Sequence, residues 1–120
     1  MKIQGTNIYL TRGDDISLTF NINTTEAIYI TELAFTVKKK AYSEEILLQQ
    51  TTSTYGTEEI DENNFIYSFS LDIKPTKEVF EEFGEYRYDV QIKYMKKNEI
   101  KTLTIIRPSI FAVMEEVNWG

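Results

Sequence analysis

The chain has 120 residues, a formal net charge of −6 and apolar residues at 42% of its positions, which suits one folded domain spanning residues 1–120. It contains no cysteine and no histidine, so disulfides, thiolate metal sites, a cysteine nucleophile and a histidine base are excluded. The acidic balance disfavours nucleic acid and anionic membranes as partners. No segment has the pattern of a signal peptide or a transmembrane helix.

Apolar and polar residues alternate along most of the chain, which is typical of antiparallel strands with one buried face. In chain order, the predicted strands cover residues 7–11, 16–22, 33–37, 46–51, 65–73, 86–94, 99–106 and 110–114. Pro108 separates the last two strands, because proline cannot donate a hydrogen bond to a β-ladder. The pattern predicts an all-β fold, an immunoglobulin-like antiparallel β-sandwich of about seven to nine strands, with a closed barrel as the alternative.

Turn residues separate these strands, and one stretch has a different period. The motif Arg12-Gly13-Asp14-Asp15 predicts a turn after the first strand, and Asn98 predicts the turn of a hairpin. Between residues 76 and 83, the apolar side chains have helical spacing: Val79, Phe80 and Phe83. We therefore predict one short helical crossover near residues 76–83, ended by Gly84.

Acidic side chains occur in three groups, each with a functional and a structural interpretation. The groups are Asp14-Asp15, residues 58–62 and residues 78–85. Calcium needs spaced oxygen ligands, and glycoside hydrolysis needs two carboxyl groups that face each other across a sugar. We interpret the groups as a turn, a solvated loop and the exposed side of the short helix. The sequence thus predicts no catalytic residue, no metal site and no cofactor, and a carboxylate-only hydrolase ranks third among the functions considered.

Three tyrosines near the end of the chain share one face of a predicted strand. Tyr86, Tyr88 and Tyr94 have the same parity as Val90 and Ile92, so we expect them in the core. The position of Tyr86 and Tyr88 after Gly84 also indicates that one of them forms a tyrosine corner, in which the phenol forms a hydrogen bond back to the main chain. An outward aromatic platform would instead favour carbohydrate binding.

Two short motifs resemble binding motifs but have simpler structural interpretations. Arg12-Gly13-Asp14 spells an adhesion tripeptide, which we interpret as a turn because three-residue matches are common by chance. The lysines at 38–40 and 96–97 lack the interleaved aromatic residues of a nucleic-acid groove. We expect them at strand ends, where lysine discourages unwanted strand pairing.

The C-terminal segment 108–120 is rich in apolar residues. Residues 110–114 predict the last strand, and the tail beyond it carries two apolar side chains outside the alternation. Because interfaces are enriched in tryptophan and methionine, we identify four candidate interface residues: Phe111, Met114, Val117 and Trp119. The alternative is that the tail folds back and covers the open end of the sandwich.

Five segments, spread over nearly the whole chain, carry a family resemblance. These segments are Ile8–Phe20, Leu33–Lys39, Lys74–Phe83, Gly84–Gln91 and Thr102–Phe111. Together they resemble the N-terminal β-sandwich domain of upper baseplate proteins from phages that infect Gram-positive bacteria. Members of that family continue into a long linker and receptor-proximal modules, whereas this sequence stops at Gly120.

The resemblance implies a non-enzymatic structural protein of a phage or prophage particle, in its tail or baseplate. Its partners would be other virion proteins or further copies of itself, and no nucleic acid or membrane would be bound. Such a protein is made in the bacterial cytoplasm without a signal peptide and resides in the virion. The alternative function is a carbohydrate-binding or adhesive β-sandwich module at the bacterial surface.

Overall fold

The computed structural model describes residues 1–115, and this part of the chain forms nine β-strands without a helix. In chain order the strands are β1 (Lys2–Gln4), β2 (Asn7–Thr11), β3 (Ile16–Thr24), β4 (Tyr29–Lys38), β5 (Leu48–Thr52), β6 (Gly56–Asp61), β7 (Asn64–Ile73), β8 (Gly84–Lys96) and β9 (Glu99–Met114). The predicted all-β class is confirmed. None of the described residues forms a helix long and apolar enough to span a membrane.

The strands form two sheets of unequal size. Six strands make one sheet in the order β1-β2-β9-β8-β4-β5, and three make the other in the order β3-β7-β6. All neighbouring strands are antiparallel except β2 and β9, which are parallel. The predicted antiparallel arrangement therefore holds for the other strand pairs, and the parallel pairing of β2 with β9 departs from it.

The two sheets face each other across one apolar core. In β3, buried and exposed positions alternate as predicted, and the strand pairs with β7 without interruption from Ile16 to Thr24. The rings of Phe20 in β3 and Phe35 in β4 join the sheets, with centroids 6.2 Å apart. Full burial of a side chain of this size contributes about 1.5–3 kcal/mol. The arrangement fits a β-sandwich.

The prediction of a helical crossover near residues 76–83 is wrong. The segment contains one hydrogen-bonded turn, in which the Phe80 N–H donates to the Thr76 carbonyl oxygen at 2.9 Å, and the turn does not continue. Phe80 is fully buried, with its ring centroid 4.9 Å from that of Tyr86 and 5.6 Å from that of Phe111. Because a short helix gains few hydrogen bonds for its nucleation cost, insertion of Phe80 into the core decides the local conformation.

The prediction that Pro108 ends a strand is also wrong, because β9 continues through it from Glu99 to Met114. The register between β8 and β9 shifts at this point, so that Arg107 and Pro108 both lie opposite Asp89. Such a bulge leaves a residue outside the ladder, where the missing N–H of proline is tolerated. The last two predicted strands are therefore one.

Candidate interaction surface

The acidic groups singled out in the sequence are dispersed over the surface. Two of them are in exposed ion pairs: Asp15 Oδ1 lies 3.8 Å from Lys74 Nζ, and Glu82 Oε2 lies 3.7 Å from Lys39 Nζ. Within residues 1–115, no three acidic side chains converge into a group that could hold a metal ion. These exposed pairs contribute little to stability, because solvent screens them.

The Arg12-Gly13-Asp14 turn joins β2 to β3 and contacts the crossover between β7 and β8. The Arg12 guanidinium donates hydrogen bonds to the carbonyl oxygens of Phe80 and Glu81 at 3.1 and 3.2 Å, and it stacks 4.1 Å above the ring of Phe83. The Gly13 N–H donates to the Pro75 carbonyl oxygen at 2.8 Å, with a φ of 94° that favours glycine. The guanidinium is thus engaged within the fold, which supports interpreting the tripeptide as a turn.

The tyrosines of β8 lie where the alternation predicted. Tyr86 is buried, and its hydroxyl donates to the Glu82 carbonyl oxygen at 2.6 Å, which forms the predicted tyrosine corner. Tyr88 is also buried and donates to the Thr6 carbonyl oxygen. Tyr94 is half-buried. The predicted core location is therefore confirmed for Tyr86 and Tyr88.

The most exposed tyrosines do not form a shared platform. Tyr29 begins β4, whereas Tyr42 follows the end of the same ten-residue strand, and their residues are 65% and 84% exposed. They lie at opposite ends of β4. One ligand of the size of a sugar ring therefore cannot stack on both.

Burial of Tyr88 raises the pKa of its phenol to about 12. The pKa of a tyrosine phenol in an unfolded chain is about 10, so the folded state binds this proton more tightly. The stabilisation is complete below about pH 10 and is lost as pH rises toward 12, and we expect urea unfolding midpoints to fall across this interval. Ultraviolet absorbance of tyrosinate would follow the same titration. In Tyr88→Phe the fall should be smaller, and an equal fall in both proteins would contradict the assignment.

The four candidate interface residues separate into different environments. Phe111 is 0% exposed, so its assignment to an interface is wrong. Its side chain follows the inward parity of Val113 and packs against Phe35 and Phe80, with ring centroids 5.9 and 5.6 Å away. Met114 is 53% exposed at the end of β9. Val117 and Trp119 lie outside the described residues.

Sequence reasoning missed an apolar groove of about 700 Å³ between β3 and the β8–β9 hairpin. The groove borders β3 because this strand is the edge of the three-stranded sheet. Its main apolar lining is contributed by Phe20, Ile22, Ile28, Ile92, Leu103 and Ile106. The period-two pattern assigns most of these residues to the core. Only the sheet order shows that the core is open to solvent along the edge strand β3.

Two hairpins of opposite charge project from the sheets. The acidic hairpin, residues 56–64, carries four carboxylates and no cation: Glu58, Glu59, Asp61 and Glu62. The basic hairpin, residues 93–101, carries four lysines and one carboxylate: Lys93, Lys96, Lys97, Lys101 and Glu99. Within residues 1–115, a free strand edge runs along each hairpin, because β6 ends its sheet and β2 pairs with β9 only from Phe111 to Met114.

The turn of the acidic hairpin is built around the carboxylate of Asp61. It accepts hydrogen bonds from the Asn63 N–H and from the Asn64 side-chain amide, each at 2.8 Å. The bond from the Asn63 N–H, and to a smaller extent the bond from Asn64, lower the pKa of the exposed Asp61 carboxyl group. The hydrogen bonds therefore favour the ionised carboxylate of Asp61 and hold the turn in this conformation.

Comparison of the chain with models of protein families, with curated proteins and with solved structures gave no match.

Proposed function

We propose that the chain is a non-enzymatic structural protein of a phage or prophage particle, a tail or baseplate component that acts through protein–protein contacts. The observation that carries the proposal is the free edge of β9 beside the apolar groove. Unpaired backbone groups at a strand edge form hydrogen bonds with another chain, and exposed apolar surface next to them adds affinity. Two large apolar residues of this edge are exposed, Ile100 by 66% and Leu103 by 51%.

We further propose that the sandwich is of immunoglobulin-like type. The tyrosine corner formed by Tyr86 and Glu82 supports this, because such a corner is a hallmark of immunoglobulin-like sandwiches. The two facing sheets and the residues on alternate sides of β3 fit the same type. In this fold, the edge strands and the connecting loops are the surfaces left for partners.

Three of the five segments that carry the phage resemblance meet at the Arg12 turn and the crossover. The turn between β2 and β3 contacts the crossover through Arg12 and Gly13, and the crossover leads into β8 through Gly84. These contacts hold the first strands of the resembling region against the crossover that precedes β8.

The proposal is tested in the bacterium that encodes the chain. Particles are induced, purified on a density gradient and analysed by mass spectrometry, and a strain with the gene deleted is compared by electron microscopy. We expect the chain to copurify with the particles and the deletion to yield incomplete tails, restored by a plasmid copy of the gene. Intact, infective particles from the deletion strain that lack the chain would contradict a structural role in that particle.

A further inference from the structure

The acidic and basic hairpins offer strand edges of opposite charge. β6 has six residues, Gly56–Asp61, all of them exposed. Among residues 1–115, β9 has no second partner from Glu99 to Ile110, and its first six residues, Glu99–Thr104, precede the shift in its register with β8 at Ile105. The register of β6 with β7 also shifts, at Ile60. Six residues are enough for one strand to pair with another along its whole length.

Each of these edges also carries large apolar side chains in solvent. Ile60 in β6 is 53% exposed, and Ile100 and Leu103 in β9 are more than half exposed. Leu103 also lines the groove, beside the buried Ile92 of β8. An acidic strand that brings Ile60 toward Leu103 would extend the apolar lining of the groove and remove these side chains from water.

The charges determine which edges can pair. Glu58 and Glu59 are exposed along β6, whereas the other hairpin has Lys101 on β9 and Lys96 at its turn, where β8 ends. Both lysines are in exposed ion pairs, with Glu99 and Glu26 respectively. Exposed pairs are weak, so carboxylates of another chain can compete for these lysines. Two copies of the basic edge repel each other, and so do two copies of the acidic edge, while an acidic edge attracts a basic one. The lysines therefore discourage pairing of β9 with itself and favour pairing with β6.

The geometry points to head-to-tail self-association, in which β6 of one copy adds to the free edge of β9 in a second copy. This inference deepens the proposed function, on which it rests for its biological role. In the three-stranded sheet, β6 lies on the far side of β7 from β3 and the groove. The two edges are different surfaces of one molecule, so each copy can contact two neighbours, and the assembly extends as a chain or closes into a ring.

The test reverses the charge of each edge separately. One variant carries Glu58→Lys with Glu59→Lys, and the other carries Lys96→Glu with Lys101→Glu. In sedimentation velocity the natural protein should show a mass that rises with protein concentration, and each variant alone should associate at least about tenfold more weakly. An equimolar mixture of the two should recover association, because each reversed edge then meets a complementary one.

Matched controls separate the edges from net charge. Glu44→Lys with Glu45→Lys and Lys39→Glu with Lys74→Glu make the same changes in charge at exposed positions outside both hairpins. Lys39 and Lys74 are in exposed ion pairs, as Lys96 and Lys101 are, so this control also removes two ion pairs. These controls should associate as the natural protein does, and circular dichroism with thermal unfolding should show that every variant folds.

Three outcomes would overturn the inference. They are a natural protein that stays monomeric at all concentrations, edge variants that associate as strongly as the controls, and a mixture that does not recover association. The second outcome would direct attention to the uncharged edge of β3. Because the measurement uses purified protein, self-association can hold while the chain is absent from particles, which would reject only the proposed function.

Discussion

Replacing Phe111 by alanine is expected to lower the free energy of unfolding by about 3–5 kcal/mol. The side chain is fully buried, and its ring lies between those of Phe35, Phe80 and Tyr88, at centroid distances of 5.9, 5.6 and 6.3 Å. Truncation removes apolar contacts to both the sheet and the crossover and leaves a cavity that neighbouring rings cannot fill without rearrangement. Urea unfolding followed by circular dichroism measures the change.

Met114 supplies the control on the same strand. It is 53% exposed, so Met114→Ala should change the unfolding free energy by less than about 1 kcal/mol. Equal losses in the two variants would show that the end of β9 packs as tightly as its middle. They would contradict the assignment of Phe111 to the core and Met114 to the surface.

The strands that the sequence predicts best are those whose partners also alternate. β3 and β7 both have apolar side chains at every second position, and they pair with each other over Ile16–Thr24 without a shift in register. Since each of them buries one face, the period alone determines which side chains point inward. The same reasoning placed Tyr86 and Tyr88 correctly.

The strands that the sequence misses are those held by backbone pairing alone. β1 and β6 have no buried residue, so they leave no apolar pattern to detect. Their existence depends on neighbours elsewhere in the chain, β2 for β1 and β7 for β6. The helix predicted near residues 76–83 is an error of the opposite kind, in which an apolar pattern is present but misleading. The spacing of Val79 and Phe80 resembles a helical face, whereas packing of Phe80 in the core determines the conformation.

The sequence predicts the charges of the candidate interaction surface but not the strand edges beside them. The acidic stretch 58–62 and the lysine pair 96–97 are evident as charges, and their exposure was predicted correctly. The prediction of a loop over the acidic stretch is wrong, because residues 58–61 lie in β6, where pairing with β7 orders them. That both border free strand edges follows from the sheet order, which places β6 at an edge and leaves most of β9 without a second partner. Pairing of distant segments cannot be deduced from local periodicity.

Replacing Arg12 by alanine is expected to lower the free energy of unfolding by about 2–3 kcal/mol, from two charge-assisted hydrogen bonds and one cation–π contact. The variant leaves the carbonyl oxygens of Phe80 and Glu81 without their donor and removes the guanidinium from the ring of Phe83. Because these contacts hold the β2–β3 turn against the crossover, hydrogen exchange should increase first around residues 76–83. Urea unfolding gives the total loss, and exchange followed by mass spectrometry locates it.

Arg12→Lys and Asp14→Ala distinguish a structural arginine from an adhesive tripeptide. Lysine keeps the charge but lacks the planar fork that reaches two carbonyl oxygens, so Arg12→Lys should recover less than half of the lost stability. Asp14 is exposed, and its side chain has no ion pair or hydrogen bond among the described residues, so Asp14→Ala should change stability by less than about 0.5 kcal/mol. Stability unchanged in Arg12→Ala, together with cell attachment by the natural protein that both Arg12→Ala and Asp14→Ala abolish, would instead establish the tripeptide as a binding motif. The two interpretations thus predict opposite rankings of the same variants, because a structural arginine acts through the carbonyl oxygens it contacts and an adhesive one through its exposure.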